Sequence, residues 1–190
     1  MSDILNYRIP ARLREMQAFI DLGPALEHVG SLRVVTSSLE IRISDQRFLT
    51  HSLADAAVLV SRGLLFFLGI TASGGTLQAV QPARYHADDL QMADLGLSSL
   101  TVSQVTKNWP GISPVRAESL LALCIVAGSK VSAHLTKETA TSLNASFSEL
   151  AEAFNLVINI VNREVYDALG LPRIEFVAGS MHGAINQTVL

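Results

Sequence analysis

Apolar residues recur at helical spacing in three long stretches, and the most completely punctuated one runs from Ser146 to Pro172. Phe147, Leu150, Ala151, Phe154, Ile158, Val161 and Val165 form one stripe, as a 3.6-residue repeat requires. Ser146 and Glu149 have capping-box spacing, the serine accepting from the N–H three residues on and the glutamate reaching back. Gly170 suits the left-handed position after the last turn, Leu171 packs back on Tyr166, and Pro172 cannot continue the helix. Leu156 and Ile160 fall on the opposite side, which makes a second, smaller apolar face. Asn155, Asn159, Asn162 and Tyr166 descend one flank as uncharged polar groups. A central helix whose asparagines meet loops or water explains this pattern. So does an asparagine ladder that specifies a partner helix or subunit. Asn155, Leu156, Asn159, Ile160 and Asn162 are accordingly the interface candidates.

Two other long helices follow the same grammar. Leu53–Ile70 is apolar almost all round, with Ser52 as its N-cap, and belongs in the middle of a bundle or at a subunit contact. Pro114–Lys130 starts with Ser113 as cap and proline in the first turn. An N-terminal helix is predicted from Pro10 to Gly23, broken by Gly23-Pro24, with residues 1–9 as an arm. A short turn of helix follows to His28. Leu32–Thr36 and Leu39–Ile43 alternate or are β-branched and read as two short strands, a hairpin without the Asn-Gly signal. Gly69–Tyr85 reads as a glycine-rich loop with an edge strand. Two short helices are predicted over 87–95 and 99–108, and Trp109-Pro110-Gly111 ends the second. A turn-rich patch spans Thr136–Asn144, and a last strand and a tail follow Pro172.

The fold expected is therefore mainly α with minor β. Three long apolar helices form a bundle, joined by the N-terminal helix and a few short strands. The 190 residues suit one domain spanning 1–190, with an N-terminal arm (1–9) and a C-terminal tail (173–190). Composition sharpens this picture. Hydrophobic residues make up 49% and charged ones 16%, against about a quarter charged in ordinary domains. Mean hydropathy is +0.35. So little charge predicts a surface largely covered, most economically by copies of the same chain. Net charge is −3 and Lys107, Lys130 and Lys137 are the only lysines, so nothing draws the whole chain to nucleic acid. A single cysteine, Cys124, excludes an internal disulfide and a multi-cysteine zinc site. The polar start carries no signal peptide, and Ala56–Ile70 is too short and too interrupted for a membrane span. A cytoplasmic, intracellular protein is expected.

Candidate chemistry is sparse. His86, Asp88, Asp89 and Asp94 could bind a divalent metal or act as acid and base, with His134 as a further partner. Acidic residues at a helix start are also what the helix dipole favours. No HExxH or calcium-loop spacing is present. His28, His51, His86, His134 and His182 are scattered singly. In Leu95–Trp109, Gly96, Leu97, Val102 and Val105 have the cadence of a helix-turn-helix. Ser99, Thr101, Gln104, Lys107 and Asn108 would then be its DNA-contact candidates. Asp88, Asp89 and Asp94 on the first helix oppose that reading, and few basic residues lie nearby.

The function expected is a non-catalytic, self-associating structural or assembly subunit of shell, coat or scaffold type, a homo-oligomer without a cofactor or metal. Protein partners fit this reading and nucleic acid does not. The alternatives are a helix-turn-helix regulator, or a helical small-molecule binder or enzyme with a site near His86, Asp88 and Asp89.

Overall fold

The computed structural model describes residues 2–27, 31–35, 40–45, 47–133 and 145–176. The protein is mainly α with minor β. A π-helical turn, Ile4–Arg8, leads into α1 (Ile9–Leu26). Strands β1 (Leu32–Val35) and β2 (Glu40–Ile43) form one antiparallel hairpin. Helix α2 (Arg47–Phe67) runs into a second hairpin, β3 (Ile70–Ser73) and β4 (Thr76–Ala79). After 3₁₀ turns at Pro82–Arg84 and Met92–Leu95 come α3 (Val102–Thr106), α4 (Pro114–Ala133) and α5 (Phe147–Val161). The last passes into a π-helical stretch, Asn162–Asp167.

Helix α5 packs against α1, α2 and α4. That explains its two apolar faces: a helix with neighbours on three sides buries more than one stripe. Leu156 and Ile160 are 1% and 0% exposed. Phe19 of α1 meets Phe147 and Phe154 of α5 edge-on, each with ring centroids 5.3 Å apart, a geometry the ring quadrupoles favour. Gly128 sets the crossing of α2 and α4. A Cβ there would lie 2.7 Å from both the Val58 carbonyl oxygen and the Arg62 Cβ, so only glycine allows this approach.

Over Leu49–Phe67, α2 has a mean hydropathy of 1.2 across 19 residues, long and apolar enough to cross a membrane. Its packing against α1, α4 and α5 accounts for the same composition as that of a core helix.

Several boundaries differ from the pattern-based expectation. The chain is already helical before Pro10, so residues 4–8 are not a free arm. Pro24 does not break α1, which ends after Leu26. Pro24 lies in the last turn, where little helix remains to be disrupted. Helix α2 begins ahead of Ser52, which is therefore not its cap. Ser146 accepts from the Glu149 N–H at 3.1 Å, but the Glu149 carboxylate turns away to Arg116 at 2.6 Å, so the box is half used. Leu171 N–H bonds to the Tyr166 carbonyl, and Gly170 has φ +68°, the expected helix stop. Residues 171–176 form no strand. Asn162 holds them instead, accepting from the Ile174 N–H at 2.8 Å and donating to its carbonyl at 3.1 Å. The loop read in Gly69–Tyr85 contains the β3–β4 hairpin. Gly74 and Gly75 have φ +58° and +82°, as a two-residue primed turn requires.

Candidate functional site

The β1–β2 hairpin carries the most one-sided chemistry among the described residues. Its register pairs Leu32 with Ile43, Val34 with Ile41, Arg33 with Arg42 and Val35 with Glu40. Directly opposed residues share a face and successive residues alternate. One face is thus Leu32, Val34, Ile41 and Ile43, and the other Arg33, Val35, Glu40 and Arg42. On the charged face Glu40 accepts from Arg33 at 2.8 Å and Arg42 at 2.7 Å. Those hydrogen bonds, the Arg33 one foremost, hold the Glu40 carboxyl below its ordinary range. On the aliphatic face Ile41 is 45% exposed. Each strand's main packing partner is the other strand, and a lone two-stranded ribbon is at best marginally stable in water.

A second open apolar surface lies between α1 and α2. It is a groove of about 350 Å³ lined by Ile9, Leu59, Val60, Phe67 and Leu90, with Gly63 leaving one side open. Arg8 and Arg12 stand at its rim, paired with Asp3 at 2.7 Å and Glu15 at 3.1 Å.

The candidate interface on α5 is divided by the fold. Leu156 and Ile160 sit in the core formed with the other helices and are not presented to a second copy. Asn155 and Asn159 are exposed, whereas Asn162 is buried and committed to Ile174. No continuous asparagine ladder remains, and the central-helix reading describes this face.

The helix-turn-helix is not formed. Residues 87–91 are not helical, Met92–Leu95 is a single 3₁₀ turn, and α3 has five residues, under two turns. Thr101 and Gln104 cap α3 reciprocally: Gln104 N–H donates to the threonine hydroxyl and the Gln104 carboxamide accepts from the Thr101 N–H. Ser99 packs against Gly69, where an added Cβ would come within 2.7 Å of its own Cβ. Lys107 and Asn108 are exposed, and Asn108 has φ +66°. Arg163 closes the end of α3. It donates to the Gln104 carbonyl at 2.7 Å and lies 3.8 Å over the Trp109 ring. A cation is favoured at a helix C-terminus, whose carbonyls lack partners.

The acidic cluster serves local turns. Asp89 accepts from the His86 N–H at 2.7 Å and Asp94 from the Gln91 N–H at 2.8 Å. Asp88 is exposed. Among the described residues no three His, Cys, Asp or Glu side chains are grouped to hold a metal. His28, His134 and His182, the turn-rich patch Thr136–Asn144 and the tail beyond Phe176 lie outside the described residues. Cys124 is buried, and desolvation pushes its thiol up to about 12, far from a reactive thiolate.

Two features have local signals in the sequence. Gly74-Gly75 between short apolar runs is a primed-turn signal. The even spacing of Arg33 and Val35 against Leu32 and Val34 already makes β1 two-faced. The Arg116 clamp to Glu149 and Glu152, both at 2.6 Å, has no local signal because it spans more than thirty residues.

The chain matches no protein-family model, no curated protein and no solved structure in comparisons with each.

Proposed function

We propose that this protein is a non-catalytic, self-associating structural subunit whose β1–β2 hairpin is covered by a second copy of the same chain. The observation that carries the reading is the hairpin's division into a charged face and an aliphatic face, with Ile41 exposed. An amphipathic ribbon without a covering layer loses the burial that orders it. The second copy offers a complement in the open groove beside Leu59 and Gly63, so that an aliphatic ribbon meets an aliphatic groove. Such arm-into-groove contacts are head-to-tail, and they build rings or extended assemblies. The low share of charged residues, 16%, favours a chain whose surface is partly occupied in its working form.

Light scattering behind gel filtration tests this at two salt concentrations. A defined assembly that Ile41→Lys dissociates, without loss of helical circular dichroism, supports the reading. A clean monomer at micromolar concentration overturns it.

A further inference from the structure

A small pocket lies where α2, β3 and α4 meet, away from both the hairpin and the groove. Its lining includes Arg62, Thr71, Arg84 and Ser129, with Phe66 and Ile125 as apolar wall. The volume is about 70 Å³, roughly the space of two waters and enough for one tetrahedral anion. No carboxylate contributes to the lining among the described residues. Arg62 and Arg84 both line this space and no carboxylate of the described residues does, an arrangement that favours an anion.

The local structure holds these donors in place. Tyr85 packs on Phe66 with ring centroids 4.9 Å apart, and its hydroxyl donates to the Phe66 carbonyl at 3.3 Å. That anchors the 3₁₀ turn whose last residue is Arg84. Arg84 itself makes no ion pair or side-chain hydrogen bond among the described residues. Thr71 is buried, and its hydroxyl makes no hydrogen bond among the described residues. The close crossing at Gly128 brings α4 onto Arg62, so the pocket's depth is built into the helix packing. Ser129 donates to the Ile125 carbonyl at 2.7 Å, which leaves Arg84 and Thr71 as the donors the ligand would engage.

We propose that this pocket binds a tetrahedral oxyanion, either free phosphate or the phosphate of a small monoester. Arg84 supplies the charged fork and Thr71 the hydroxyl donor, with Arg62 adding positive charge from α2. The pocket admits the phosphoryl group alone, so any organic part of a monoester lies outside it. This site is independent of the self-association proposed above.

Isothermal titration calorimetry with inorganic phosphate and with glycerol 3-phosphate, at constant ionic strength set by chloride, tests it. One saturable site per chain is expected. Arg84→Gln and Thr71→Val should each weaken it by about tenfold or more, the loss expected when one charge-assisted or buried hydrogen bond is removed. Arg173→Gln, at an arginine paired with Asp167, should leave binding unchanged. Tighter binding of glycerol 3-phosphate identifies a monoester as the ligand class, and equal or weaker binding identifies the free anion. Arg84 is exposed, so Arg84→Gln should fold as the parent does, with an equal melting temperature without phosphate. No saturable binding of either probe, or binding that Arg84→Gln leaves unchanged, overturns the proposal.

Discussion

The hydroxyl of Tyr166 donates to the carbonyl of Leu5 at 2.7 Å, which joins the π-helical stretches at the two ends of the described chain. Ile9 N–H bonds to the Ile4 carbonyl, so the helical register here is i to i+5. The next partner in that register, for Leu5, would be Pro10, which has no N–H. The Leu5 carbonyl is thus left open by the chain's own chemistry, and Tyr166 fills it from 161 residues away. Tyr166→Phe keeps the ring and removes the donor. It should cost about 1–2 kcal/mol, the typical range for a buried acceptor left unsatisfied. Thermal unfolding should show a melting temperature lower by roughly 2–8 °C for a domain of this size. An unchanged midpoint would mean that water replaces the phenol.

Alkaline pH should destabilise the fold earlier than surface charge alone would suggest. Desolvation raises the Cys124 thiol from 9.0 to about 12 and the Tyr166 phenol from 10.0 to about 12. Both groups hold their protons more tightly folded than unfolded. Their stabilising contribution is therefore whole below about pH 9 and is lost as the pH climbs to about 12. Urea midpoints measured from pH 8 upward should fall across that window. Cys124→Ala should delay the onset towards pH 10, where tyrosine begins to titrate. A flat profile to pH 11 would contradict the burial of both groups.

Two helical glycines should respond with opposite signs. Gly128→Ala places a methyl 2.7 Å from the Val58 carbonyl oxygen, and separating the helices to admit it should cost about 1–3 kcal/mol. Gly63→Ala meets nothing within 4 Å and should stabilise by roughly 0.5–1 kcal/mol, because alanine has less backbone freedom to lose. Chemical denaturation of the two variants side by side checks the pair.

Trp109 is the chain's single tryptophan, so its fluorescence reports the Arg163 clamp directly. Arg163→Ala removes the cation 3.8 Å above the ring and the donor to the Gln104 carbonyl. Its emission maximum and acrylamide quenching should both change, while far-ultraviolet circular dichroism stays near the parent because α3 is short. Indistinguishable emission would place Arg163 elsewhere in solution.

The Arg116 clamp should be worth little by itself. Arg116, Glu149 and Glu152 are each about a third exposed, so solvent screens the pairs to about 1 kcal/mol or less. Arg116→Leu with denaturation at low and high salt should give a small difference that salt erases. A loss of several kcal/mol would mean that the clamp orders the start of α5 rather than merely bridging it.

The periodicity of Phe147, Leu150, Phe154 and Val161 determines a helix wherever that segment sits, because the 3.6-residue repeat and its caps act within a few turns. The same local reach explains why the β1 and β2 strands and the Ser113 and Ser146 caps were legible. Local signals also misled. Gly23-Pro24 reads as a break, yet α1 continues to Leu26. Gly96 and Val105 read as part of a DNA-binding unit, yet the helices around them stay too short. What sequence could not decide is which neighbour covers each apolar face. Leu156 and Ile160 have the same hydrophobicity whether they meet another subunit or α1, α2 and α4 of their own chain. Only the tertiary structure turns them inward and leaves Ile41 of the hairpin exposed. It also brings Arg62 and Arg84 to one pocket, because burial is non-directional and the pattern along a chain records that a face is covered, not by what.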